Sequence, residues 1–266
     1  MSLPTNKIYI CLCILIVYYF YSPVIFAQNM EKISIEYITR PPYIISSKDD
    51  SKPIDGVIYK LIIKIFNEAK IPFEFKNVPV IRTFESIKEN KKKVCSPSSF
   101  KTKEREENAI FSKAIFQDKK TVIIILNRNK EIKKLKKSQE VLSNNNLKLL
   151  VKIGFSYGKY LDEKVLFYKK IALAEKNPQE SKNVIFTSSD NNMMLQDIMT
   201  GKADYMFIGR NEAEYLLNEN PLFKINLEIK DLNDLPEVEK RYIMCSKIVG
   251  KETIDKINIE IDKILK

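Results

Sequence analysis

The chain has 266 residues, 44% of them hydrophobic, with 45 Lys and Arg against 34 Asp and Glu for a net charge of +11, and neither His nor Trp. That length allows one large domain or two small ones, and the lack of His excludes a Ser-His-Asp triad, a Cys-His dyad and every His-ligated metal site. The six glycines, Gly56, Gly154, Gly158, Gly201, Gly209 and Gly250, assemble no Gly-rich phosphate loop, which argues against nucleotide chemistry.

One cation, Lys7, precedes an uncharged and mostly apolar stretch from Ile8 to Phe26; Pro23 interrupts it and Ala27 follows. This is the layout of a secretory signal, with cleavage expected after Ala27 and a periplasmic or secreted mature chain. An uncleaved N-terminal membrane anchor is the alternative, because the apolar run approaches the length of a span. Cys11 and Cys13 leave with the signal, and neither sits in a lipoprotein cleavage context. The mature chain keeps Cys95 and Cys245. Two thiols in an oxidising compartment point to one disulfide, with two buried free cysteines as the alternative. The bond would close a loop of about 150 residues, for which chain entropy assigns roughly 5 kcal/mol.

"KISIEYI" (32–38) is β-branched and reads as a strand that "RPPYI" stops. In "DGVIYKLIIKIFNEAK" the residues Val57, Ile58, Leu61, Ile62, Ile65, Phe66 and Ala69 mark one face of a helix. A strand "PFEFKNV", a helix "VIRTFESIKENKK" and a strand "VCSPS" follow, then the continuous apolar strand "TVIIILN" (121–127). The basic run "KEIKKLKK" (130–137) reads as a solvated helix face; elsewhere Lys is scattered among Glu, so no nucleic-acid partner is expected. The alternation then resumes. "LKLLVKIGF", "NVIFT", "ADYMFIG" and "RYIMCSK" read as strands; "GKYLDEKVLFYKKIALAEK", "DNNMMLQDIMTGK", "NEAEYLLNE" and "ETIDKINIEIDKILK" read as helices.

Alternating strands and helices favour mainly parallel sheets flanked by helices. Two such blocks make a two-lobed α/β protein. Its expected segments are 1–27 signal, 28–122 first part of lobe 1, 123–222 lobe 2 and 223–266 the return to lobe 1. A cleft between lobes is the usual place for a ligand, and the carboxyl ends of strands are where it settles. "RPPY", "CSPSS", "GFSYG" and "TSSDNN" fall at such ends.

The order of these pieces resembles the extracellular solute-binding proteins of family 3, with the type II periplasmic-binding-protein fold. The resemblance runs over the mature chain: "YITRPPYI", "DGVIYKLIIKIFNEAKIPFEF", "PVIRTFESI" and, above all, "KTKEREENAIFSKAIFQDKKTVIIIL", which looks like the family's Thr-x-x-Arg segment and its crossing strand. It implies two hinge crossovers, a monomer, no cofactor or metal, and a small solute handed to the membrane permease of an ABC importer.

The same resemblance implies that Arg105, three residues after Thr102, grips a ligand carboxylate. A guanidinium fork suits that task and an ammonium does not. Ser98 lies just ahead, and Tyr43 is an expected aromatic wall. Arg82 opens a helix, where a cation opposes the helix dipole and calls for an anion or an acidic side chain. Ser156 with the amides of Tyr157 and Gly158 forms an anion-friendly helix start, although a plain cap explains Ser156 equally well. Ser189 and Asp190 are caps that could also face the cleft. In amino-acid binders of the family an Asp follows the "ADxxxx" strand; here Gly209 and Arg210 stand there, so the expected solute is anionic or amino-acid-like without a named specificity. The rival readings are a sensory or orphan receptor, and a cyclohexadienyl-dehydratase-like enzyme with Glu212 as its acid. Binding without catalysis is the leading expectation.

Overall fold

The computed structural model describes residues 31–173, 181–236 and 239–266; the expected leader and the cut after Ala27 lie outside them. In chain order come β1 (Ile33–Tyr37), β2 (Ile45–Ser46), β3 (Pro53–Asp55), α1 (Val57–Glu68), β4 (Phe73–Asn77), α2 (Val80–Glu89), β5 (Val94–Ser99), α3 (Lys103–Asn108) and β6 (Ile110–Asp118). The chain then builds a second set: β7 (Thr121–Leu126), α4 (Lys130–Lys134), α5 (Ser138–Ser143), β8 (Leu149–Lys152), α6 (Lys159–Lys169), β9 (Val184–Thr187), α7 (Asn191–Met199), β10 (Tyr205–Gly209), α8 (Arg210–Glu219), α9 (Pro221–Asn226) and β11 (Leu227–Lys230). It returns through β12 (Glu239–Cys245) and ends in α10 (Lys251–Ile264).

Two five-stranded sheets result, ordered β4-β1-β5-β12-β6 and β11-β7-β10-β8-β9. In the first, β4, β1 and β5 run parallel while β12 runs antiparallel to both β5 and β6. In the second, β10, β8 and β9 are parallel and β7 is antiparallel to β10 and β11. The logic is the same in each: a helical crossover keeps strands parallel, whereas β7 and β12 each arrive from the other sheet. The chain enters the second sheet at Thr121 and leaves it after Lys230, and these two passages are the crossovers.

The predicted apolar stripe of α1 buries Ile58, Ile62, Ile65 and Phe66, and α10 buries Ile254, Ile257 and Ile261 in the same core. Fully burying such a side chain contributes roughly 1.5–3 kcal/mol. Apolar strand β7 is covered on both faces: Ile123 and Ile125 enter one cluster, Val122 and Ile124 another. The Met193–Met194 pair divides, with Met194 in the core and Met193 exposed.

Gly56 is fixed by a close approach. Its φ is +122°, and a Cβ there would stand 2.2 Å from the Tyr43 carbonyl oxygen. The first amides of α1 donate to the loop before it, Val57 to Pro42 O and Ile58 to Tyr43 O. The segment 40–43 is thereby pinned to a helix start. Cys95 and Cys245, opposite one another on β5 and β12, are disulfide-bonded across 150 residues. Among the described residues no helix is long and apolar enough to cross a membrane, and no group of His, Cys, Asp or Glu could hold a metal ion.

Candidate functional site

At the crossovers β6 ends in Asp118, and β12 brings Arg241 beside it. Tyr43 Oη donates to Asp118 Oδ1 at 2.6 Å, and Arg241 Nε donates to Asp118 Oδ2 at 2.5 Å. Both charged side chains are almost fully buried. The Arg241 guanidinium lies 4.4 Å from the Tyr43 ring centre and 4.5 Å from that of Phe100, and Nη1 reaches Ser98 Oγ at 3.4 Å. Burial pushes the Tyr43 phenol well above its ordinary pKa.

Between the two sheets, Arg40 follows β1 and reaches Glu212 in the first turn of α8. Nε donates to Oε1 at 2.8 Å and Nη2 to Oε2 at 2.9 Å. Asn191 Nδ2 adds a third bond to Oε1, so both oxygens of Glu212 are occupied. The Arg40 guanidinium lies 5.0 Å from the Phe155 ring centre and 5.6 Å from that of Tyr43. Burial alone would lower its pKa; the charge and hydrogen bonds of Glu212 outweigh burial, and the net shift is upward. Lys152, at the end of β8, carries its ammonium 5.0 Å from the centre of the same Phe155 ring. Burial, helped by the charge of Arg40, brings Lys152 down to about 8.

Among the spaces between the sheets, two adjoin these residues. The smaller, about 60 Å³, is lined from one side by Glu36, Thr83, Ser96 and Ser98 and from the other by Phe155. Two buried atoms there, Glu36 Oε2 and Thr83 Oγ1, have no hydrogen-bond partner. Such groups are costly to leave unmade. The larger space, about 460 Å³, lies against α2 and α3 and is lined by Ile81, Phe84 and Arg105 on one side and Gly154 and Ala172 on the other. Phe84 belongs to both linings and forms the wall between them.

Arg105 owes its place to Thr102, whose Oγ1 accepts the Arg105 amide and caps α3. The guanidinium stacks on Phe84 at 4.2 Å and donates from Nη1 to the Phe100 carbonyl at 3.0 Å. It makes no ion pair among the described residues. Burial lowers its pKa to about 10, against the opposing charge of nearby Asp162.

The remaining sequence candidates lie as follows. Ser98 lines the smaller space. Arg82 is exposed in the first turn of α2. At the start of α6 the chain supplies its own anion: Asp162 accepts from Ser156 Oγ at 2.5 Å and from the Tyr157 amide at 2.8 Å, while the Gly158 amide donates to Ser156 Oγ at 3.2 Å. Burial raises the pKa of Asp162 and pushes the Tyr157 phenol up to about 12. The Ser189 amide donates to Thr187 Oγ1, and Asp190 caps α7 through the Met193 amide. Arg210 turns to Asp231 and Glu214. Sequence reasoning missed Glu36, Arg40, Thr83, Phe84 and Phe155. One signal was present for Glu36, an acidic residue inside a five-residue strand that is buried throughout.

Residues 35–210 match the model of the bacterial extracellular solute-binding proteins, family 3. Similar solved structures include an ancestral arginine-binding protein bound to arginine, 18% identical over 89% of this chain and 93% of that one with a TM-score of 0.67. The arginine-, lysine-, histidine-binding protein ArtJ from Geobacillus stearothermophilus is 15% identical over 88% and 89%, with a TM-score of 0.68. The substrate binding protein of an amino acid ABC transporter is 14% identical over 88% and 92%, with a TM-score of 0.64. At these identities the likeness establishes a shared fold. No curated protein matches the sequence. With two α/β lobes, two crossovers and a matching family model over most of its length, the chain belongs to the bacterial extracellular solute-binding proteins of family 3.

Proposed function

We propose that the protein captures a small polar solute, anionic or amino-acid-like, between its two lobes outside the cytoplasm and delivers it to the permease of an ABC importer. The observation that carries this reading is Arg105. A desolvated guanidinium with one carbonyl partner, stacked on Phe84 and facing the gap between the lobes, is short of a counter-charge. A carboxylate would supply that charge in the geometry Arg favours. The unpartnered Glu36 and Thr83 oxygens across the Phe84 wall offer acceptors to an ammonium or hydroxyl. The solved relatives that bind arginine, lysine or histidine, or serve an amino acid transporter, favour the amino-acid-like class.

Binding accounts for the cleft better than catalysis. A general acid at Glu212 needs a free oxygen facing the solute, and Arg40 and Asn191 take both oxygens. The test is a thermal-shift screen of the purified protein against amino acids, dicarboxylates, sugar acids and short peptides. A ligand raises the melting temperature in a concentration-dependent way. Arg105→Ala is expected to abolish the shift; an unchanged response removes Arg105 from the site, and no response to any class sinks the reading.

A further inference from the structure

Six side chains alternate ring and cation across the gap. Lys152 Nζ lies 5.0 Å from the Phe155 ring centre, and Arg40 lies 5.0 Å from the same ring and 5.6 Å from Tyr43. Arg241 lies 4.4 Å from Tyr43 and 4.5 Å from Phe100. Lys152 and Phe155 belong to the lobe of the second sheet; the other four belong to the first lobe. Arg40 is the member that joins them.

The surroundings of its guanidinium are those of a binding site. Two aromatic rings supply cation–π contact and a carboxylate meets the fork bidentately. Glu212 has no exposed surface, its remaining contact is Asn191 Nδ2, and among the described residues no other cation pairs with it. A buried carboxylate of this kind requires a cation from somewhere. The second lobe provides Phe155, Asn191 and Glu212; the first provides Tyr43 and the arginine itself.

We propose that Arg40 is an internal ligand: the space bounded by Tyr43, Phe155, Asn191 and Glu212 is a guanidinium-binding site filled in cis, which holds the lobes together without solute and denies that part of the cleft to cationic solutes. The stem of Arg40 cannot follow the second lobe. Its amide donates to Ile44 O, and the segment after it is pinned to α1 at Gly56. Opening the lobes therefore means pulling the guanidinium out of its fork. The inference holds whichever solute the cleft takes, and the solute screen above tests that separate point.

The experiment measures the radius of gyration by solution X-ray scattering and the melting temperature, without solute and with methylguanidinium as the probe. The wild-type protein is expected to be compact and unmoved by methylguanidinium. Arg40→Ala is expected to be expanded, and millimolar methylguanidinium to restore the compact radius and raise its melting temperature by several degrees. Adding Glu212→Gln to Arg40→Ala is expected to abolish that response. Equal radii for wild type and Arg40→Ala, or an equal methylguanidinium response with and without Glu212, would overturn the proposal. If Arg40→Ala does not fold, the pair Arg40→Gln and Glu212→Gln, which removes both charges of this ion pair together, reads the same radius: expansion supports the internal ligand and a compact radius overturns it.

Discussion

Gly154, just beyond β8, packs so closely on Ile81 of α2 that a Cβ on the glycine would stand 2.6 Å from Ile81 Cγ1. The two residues belong to different lobes, so the lobes touch here. Gly154 also has φ +75°, which an L side chain adopts with strain. Gly154→Ala is expected to cost about 1–3 kcal/mol through overpacking and backbone strain. In a double-mutant cycle with Ile81→Ala, urea denaturation should give a coupling of about 0.5–3 kcal/mol. Strictly additive costs would mean that the lobes do not meet there in solution.

The crossover pair makes a second prediction. Asp118→Ala leaves Arg241 and the Tyr43 hydroxyl buried without their common acceptor. Removing one member of a buried pair is expected to cost about 3–5 kcal/mol. Asp118→Asn, which can still accept from Tyr43, should cost less. Denaturation midpoints check both, and a loss below about 1 kcal/mol for the alanine variant would show that solvent reaches the pair.

Lys152 gives a dependence on pH. Its pKa in the folded protein is about 8, against an ordinary value of 10.5. Between those values the unfolded chain holds a proton that the folded chain has released, so this residue makes stability rise with pH; below about 8 its full penalty is present. Arg40 reinforces the shift, and Glu212 and Asp190 oppose it. Lys152→Met is therefore expected to melt above the wild type at pH 7, with the gap closing as pH climbs toward 10. A gap that is constant across this range would rule out the titration.

Asp162 occupies the donors at the start of α6. Asp162→Ala frees the Tyr157 amide and the Ser156 hydroxyl at a cost of about 0.5–1.5 kcal/mol for each lost hydrogen bond. Sulfate should then raise the melting temperature of the variant more than that of the wild type. Identical shifts would mean that those donors do not form an anion site even when vacant.

The architecture was largely legible because it rests on periodicity. The α1 stripe, the apolar β7 and the strand–helix alternation each repeat locally. β6 was not marked as a strand because its burial is irregular, with Lys113 and Gln117 exposed on an edge. β11, α5 and α9 are four to six residues long, too short to show a period. At the site, Arg105 was legible through the resemblance of Thr102 to Arg105 to the family's Thr-x-x-Arg segment. Arg40 and Glu212 are 172 residues apart and carry no pattern linking them. The helix start at Ser156–Gly158 was visible, but its filling by Asp162 depends on a side-chain rotamer that composition does not encode.

The bond between Cys95 and Cys245 has a topological result. Lobe 2 is an insertion within lobe 1, and the two chain pieces that build the first sheet are stapled to each other on adjacent strands. Melting or nicking the inserted lobe therefore leaves those pieces tethered at high effective concentration. Pairing of β5 with β12 is then an intramolecular event whether or not the inserted lobe is folded or intact.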